Sequence, residues 1–139
     1  MQPVMDKAAL EEFLAREFPQ VTGDFSVEDV APMQVRVRMP VAERHLRPGG
    51  TVSGPSMFAL ADVGIYLAVL AMIGPKALAV TTNCSIDFMR KPAAGRDMLC
   101  EARLLKLGRV LAVGDALLFS EGMEGAVARA GLTYSIPPR

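Results

Sequence analysis

The sequence predicts an α+β fold in which a curved antiparallel sheet wraps one long, buried helix. Three observations point there. The run from Met57 to Ile73 is apolar on nearly every side, the mark of a helix enclosed by protein rather than lying on a surface. The segments flanking it alternate apolar and polar residues with a period of two, as strands do. The connections after the helix are mostly of hairpin length, so the last four strands are expected to be antiparallel. All-helical and doubly wound parallel arrangements fit this order poorly.

The elements follow in turn. Residues 6–18 place Leu10, Phe13, Leu14 and Phe18 at helical spacing, with Asp6 as N-cap and Pro19 as terminator. Residues 24–41 read as two strands around a turn at Ala31–Pro32; in the second, Met33, Val35, Val37 and Met39 alternate with Gln34, Arg36 and Arg38. "AERHLRPGGTVSGP" is a loop by composition. The buried helix then spans 55–73. Pro55 suits its first turn, where a missing N–H costs nothing, and Gly74–Pro75 stops it. Its apolar stretch is at the short edge of a membrane-spanning length and carries Asp62 and Gly64, so a core helix is the reading. Beyond it lie "ALAVTTNCSIDFMRK", "DMLCEARLLKL" with a turn at Gly108–Arg109, "VLAVGDALLF", and "AVARAGLTYSI". The third is apolar on both faces and is expected in the middle of the sheet.

Composition bounds the function. A chain of 139 residues fits one domain, read here as 1–139. Hydrophobic residues make up 51% and aromatics 6%, so the core is aliphatic and uses many of the nine methionines. Fifteen basic residues balance fifteen acidic ones, which argues against a nucleic-acid binder. Neutrality with so much apolar content points to an oligomer. Cys84 and Cys100 form no C-x-x-C and sit by no histidine cluster, so neither a metal site nor a disulfide is expected. The start "MQPVMDKAALEEF" lacks the basic and apolar regions of a signal peptide, which predicts a cytoplasmic protein without a membrane segment.

Asp62 is the residue that asks for an explanation. It lies about two turns into the apolar helix, with no basic residue three or four positions away. Burying an unpaired carboxylate costs several kcal/mol. It either faces solvent, accepts from a hydroxyl such as that of Tyr66, or does chemistry. "TVSGP" just before the helix favours chemistry. Backbone N–H groups there lie at a positive dipole end and have no helical partners. Pro55 cannot donate, so Gly54 and Ser56 are the expected donors, and Ser53 is the expected cap. Such donors near a carboxylate suit acyl-transfer hydrolysis: one group polarises a carbonyl while the other activates water. Thr82 shares the parity of Val80 and Cys84 and is expected to face the helix; Thr81 and Asn83 are expected to face away. The basic residues Arg47, Arg90 and Lys91 lie in loops or at strand ends, where a phosphate-bearing ligand would meet them. His45 stands alone in a loop with no nucleophile elbow, so a Ser–His–Asp triad is unsupported.

"RPGGTVSGPSMFALAD" resembles the G-T-x-H-G-G-x-x-x-x-L-A-D signature of hotdog-fold acyl-CoA thioesterases of the phenylacetate-pathway type. "VTTNCSIDFMRKPAAGRDMLCEARLLKLGR" and "AVARAGLTYSI" are similar to the family's later strands. The resemblance implies a hotdog fold, a homodimer or dimer of dimers with sites between subunits, and an acyl-CoA substrate with no separate cofactor. It implies that Asp62 is the catalytic base or nucleophile, that Gly54 N–H polarises the thioester, and that Thr82 or Thr81 is the hydroxyl on the neighbouring strand. Ser53, Ser56, Asn83, Arg47, Arg90 and Lys91 complete the expected substrate-binding set. The motif departs from the family where Ser53 replaces His, Pro55 replaces Gly and Arg47 replaces Asn. A non-hydrolytic acyl-CoA-binding or sensing protein is the alternative these departures favour. A hydratase is weaker, since the single histidine lies outside the helix.

Overall fold

The computed structural model describes residues 1–138. Helix α1 runs Lys7–Glu17, and Asp6 caps it by accepting from the Ala9 N–H at 2.9 Å. Strands β1 (Ser26–Ala31) and β2 (Gln34–Met39) form a hairpin. Its turn is Pro32–Met33. Met33, expected in the strand, is instead the turn residue with φ of +62°, the backbone a type II turn demands after proline. Helix α2 (Gly54–Ile73) follows, then β3 (Val80–Phe88), β4 (Met98–Leu107), β5 (Leu111–Ser120) and β6 (Ala128–Ser135).

All six strands form one antiparallel sheet in the order β1-β2-β4-β5-β6-β3. β5 is central, as its two apolar faces predicted. β3 does not pair with its successor. Residues 89–97, a nine-residue connection with Pro92 and Gly95, carry the chain away from it, and β3 instead takes the outer side of the closing strand β6. It is therefore an edge strand. The long helix wrapped by this sheet is the hotdog architecture.

The core is the space between α2 and the sheet. Leu60, Ile65, Leu67 and Leu70 of α2 are fully enclosed. The length and hydropathy of α2 match those of a membrane span, but the sheet covers most of it. How near the helix lies is set by two glycines. A Cβ on Gly64 would sit 2.7 Å from Cys100 Sγ and 3.3 Å from Ala102 Cβ. A Cβ on Gly114 would sit 2.7 Å from Ile65 Cδ1 and 2.9 Å from the Arg103 carbonyl. A side chain on Gly64 would have to displace the Cys100 thiol, and one on Gly114 would press on the backbone of β4 as well as on Ile65.

The loop entering α2 is strapped down. Buried His45 accepts from the Ala42 N–H through Nδ1 at 2.8 Å, so Nε2 carries the proton that points at Asp24 Oδ1, 3.2 Å away. The His45 carbonyl accepts from the Ser53 N–H at 2.8 Å. Ser53 Oγ then accepts from the Ser56 N–H at 3.2 Å and caps the helix. At the far end Gly74, with φ of +96°, donates to the Leu70 carbonyl.

Replacing Gly64 with valine should destabilise the protein by about 2 kcal/mol or more, through overpacking against Cys100. Denaturant titration checks this. The Gly64→Val, Cys100→Ala double variant should be more stable than the two single losses add up to, since the smaller residue makes the missing room.

Candidate active site

Asp62 lies on the flank of α2 that faces β6 and β3. Tyr134 of β6 donates to Asp62 Oδ1 at 2.7 Å and approaches the Asp62 carbonyl at 3.0 Å. Thr81 of β3 donates to the same Oδ1 at 2.5 Å. The carboxylate is thus partnered by two hydroxyls and, among the described residues, by no cation. Tyr66, the hydroxyl expected from sequence, is committed elsewhere: it donates to the Ala77 carbonyl at 3.0 Å.

The threonine assignment is a correction. Thr82 does not face the helix. Its side chain is exposed and reaches only the Thr133 carbonyl, at 3.3 Å. The cause is a bulge. Thr81 pairs with Tyr134 and Asn83 with Thr133, so Thr82 is the extra residue and the alternation changes phase across it. Thr81, Cys84 and Ile86 turn inward; Val80, Thr82 and Asn83 turn outward. Strict parity predicted the reverse for both threonines.

Gly54 opens α2, and among the described residues its N–H has no acceptor. The Phe88 ring lies over it, 3.4 Å from where a Cβ would stand. Ser56 is the second correction: its N–H is occupied by the Ser53 cap, so the helix start offers one free donor rather than two. Ser53 Oγ also donates to Ser56 Oγ at 3.0 Å. The outlying residues are not gathered around Asp62. Arg47 is exposed in the entry turn. Arg90 donates to the Ala126 carbonyl at 2.5 Å, while Lys91 beside it is exposed.

A cavity of about 410 Å³ adjoins Asp62, lined by Phe18, Val63, Tyr66, Ala79, Thr81 and Tyr134 among others. Its lining is mixed: Phe18, Val63, Ala79 and Val80 are apolar, while Glu17, Gln20, Tyr66, Thr81, Tyr134 and Asp62 itself bring polar groups to it. A wider hollow of about 550 Å³ lies on the opposite face of the sheet. It is remote from Asp62, and much of its charge is already paired, Arg129 with Asp87 at 2.9 Å and Arg36 with Glu101 at 3.5 Å. The 410 Å³ cavity is therefore the one with chemistry in its wall.

Tyr134 is the residue that sequence reasoning missed. It reads as one aromatic in a closing strand, and only the placement of β6 beside β5, against α2, brings it to Asp62. Burial raises its hydroxyl pKa well above the ordinary tyrosine value, and the negative charge of Asp62 raises it further. The phenol is therefore a donor throughout the neutral range.

A helix wrapped by an antiparallel sheet, with a carboxylate in the helix and a free N–H at its start, defines a hotdog-fold protein of the thioesterase kind. The comparisons agree. The model of the thioesterase superfamily matches residues 49–127, and the chain belongs to that superfamily. It is similar to a crystal structure from a Silicibacter species whose thioesterase description is provisional, with 64% identity, 99% and 96% of the two chains covered and a TM-score of 0.93. It is similar to the phenylacetic acid degradation protein PaaI of Thermus thermophilus, solved as a mutant, with 30% identity, 86% and 99% covered and a TM-score of 0.74. It is 32% identical to human acyl-coenzyme A thioesterase 13, over 70% of this chain and 69% of that one.

The Tyr134 shift carries a stability consequence. The folded chain holds the phenol proton more tightly than the unfolded chain does. The resulting stability is complete below the ordinary value of 10.0 and is lost as pH rises above it. Between pH 8 and pH 11 the melting temperature should fall less in Tyr134→Phe than in the wild type, with a residual fall from Cys100, Cys84 and Tyr66, which are shifted the same way by burial.

Proposed function

We propose that the protein is an acyl-CoA thioesterase that hydrolyses the thioester to a free acid and coenzyme A. The observation that carries this reading is Asp62: a carboxylate beside a cavity, held by two hydroxyls and, among the described residues, paired with no cation. Asp62 takes a proton from water. The water oxygen attacks the thioester carbonyl carbon, and the carbon–sulfur bond breaks. The departing thiolate takes up the proton, so one water is consumed for one acid and one thiol. Gly54 N–H stabilises the oxyanion that forms on the way. The acyl group occupies the cavity between Phe18 and Tyr66. Exposed Lys91, and Arg90 once it leaves the Ala126 carbonyl, meet the phosphates of coenzyme A. The reaction needs no further cofactor.

The site in this reading takes two copies of the chain. Eight residues of α-helix separate Gly54 from Asp62, a rise of about 12 Å. One carbonyl cannot touch both groups of the same helix. A homodimer pairing β3 with β3 removes the difficulty, because it sets Asp62 of one copy beside Gly54 of the other. The edge of β3 supports it: the strand is free on that side, and Val80 and Phe88 are 56% and 52% exposed.

One observation favours the second reading, an acyl-CoA-binding protein without turnover. Ser53 and Pro55 replace the His and Gly of the family motif, and the Ser56 N–H is spent on the cap, which leaves Gly54 as the single backbone donor. Losing one donor of an oxyanion site costs about 10²–10³ in rate.

Thiol release from a panel of acyl-CoAs separates the readings. The wild type should hydrolyse at least one of them, and folded Asp62→Asn should be slower by about 10³. Submicromolar binding by calorimetry with no thiol released selects the binding protein instead.

A further inference from the structure

The two oxygens of Asp62 are not equivalent. Oδ1 takes both donors, Thr81 and Tyr134. Among the described residues no donor reaches Oδ2, and no side-chain oxygen is buried without a partner. Oδ2 is therefore accessible, and the space it adjoins is the 410 Å³ cavity that Asp62 lines.

We propose that Tyr134 is a positioning residue that locks Asp62 through Oδ1 and thereby makes Oδ2 the oxygen that takes the proton from water. This rests on the thioesterase reading. Three features single out the tyrosine. First, its hydroxyl has one proton and faces two acceptors on the same residue, Oδ1 at 2.7 Å and the backbone carbonyl at 3.0 Å. A donor shared in that way ties the side chain to its own backbone and holds one rotamer. Second, the donor itself cannot wander. Tyr134 is only 3% exposed, its ring lies 6.0 Å from that of Tyr66, and Tyr66 is anchored on the Ala77 carbonyl. Third, it stands on β6, which is paired in unbroken register with β5, whereas Thr81 stands beside the bulge in β3. The threonine completes the clamp; the tyrosine gives it a rigid reference. A base held to one rotamer meets the water and the carbonyl in a fixed geometry, and that placement enters kcat rather than ground-state binding.

Steady-state kinetics of Tyr134→Phe with the best acyl-CoA substrate tests this, because phenylalanine keeps the ring and its packing. The expected result is a kcat lower by about tenfold, KM within about twofold of wild type, and circular dichroism unchanged. A kcat above half the wild-type value overturns the tyrosine's role while leaving the thioesterase reading intact. A kcat loss matched by an equal rise in KM also overturns it, since that pattern marks a damaged pocket. A wild type that releases no thiol from any acyl-CoA overturns the thioesterase reading, and the role of Tyr134 with it. If Tyr134→Phe does not fold, difluorotyrosine incorporated into a Tyr66→Phe chain keeps the contact and alters only the strength of the donor. The comparison is with the same chain carrying ordinary tyrosine: kcat should change severalfold at constant KM, and an unchanged kcat overturns the proposal.

Discussion

The distance between α2 and the sheet is the constraint on which this molecule depends. Gly64 rests on Cys100 and Ala102 of β4, and Gly114 of β5 receives Ile65. Between them they press the helix onto the two central strands and fix its rotation. At about 100° per residue, Asp62 projects about 60° from Ile65. That direction leads past β5 toward β6, where Tyr134 waits. A helix one methyl group higher or a few tens of degrees rotated would still fill the core, but would leave the carboxylate out of reach of both hydroxyls. Packing and chemistry are therefore one specification, written in two absent side chains.

The chain handles its charges in two contrasting ways. Arg38 is surrounded by Glu121, Asp97 and Glu28 at 2.9, 3.0 and 3.3 Å, and those contacts bind the outer strands to the loops beside them. There opposite charges cancel. Asp62 has only neutral donors. Hydroxyls stabilise an anion by orienting dipoles toward it without removing its charge. The first arrangement is structural cement. The second keeps a full negative charge available beside a cavity.

Much of this was legible in the sequence because it depends on local rules. The apolar run closed by Pro55 and Gly74 gave α2 and its burial. Alternation in "QVRVRM" gave β2, and the two-faced apolar run "VLAVGDALLF" gave a central β5. Asp62 drew attention because a charge in such a helix needs a reason. What was not legible depends on pairing across long sequence separations. No local pattern says that β3 skips β4 to join β6, which brings Thr81 to Asp62, or that β6 comes to lie against α2, which brings Tyr134. The bulge at Thr82 is likewise set by register against β6, so parity counted from Val80 put the wrong threonine on the helix. Capping was anticipated for Ser53, but its price to Ser56 as an oxyanion donor follows only from geometry.

The bulge also changes what kinds of sequence change the site can absorb. Thr82 is spare in the ladder, exposed and bound only to a distant carbonyl. Many different residues can stand there, since nothing depends on its identity. Its presence shapes the strand rather than its pairing. Removing it would leave Thr81 opposite Tyr134 and Asn83 opposite Thr133 in an unbroken ladder, with Thr81 still facing the helix. What would go is the local bend and added twist that an unpaired residue gives a strand. A deletion at position 82 would therefore be felt as a change of curvature beside the carboxylate, and a substitution there hardly at all.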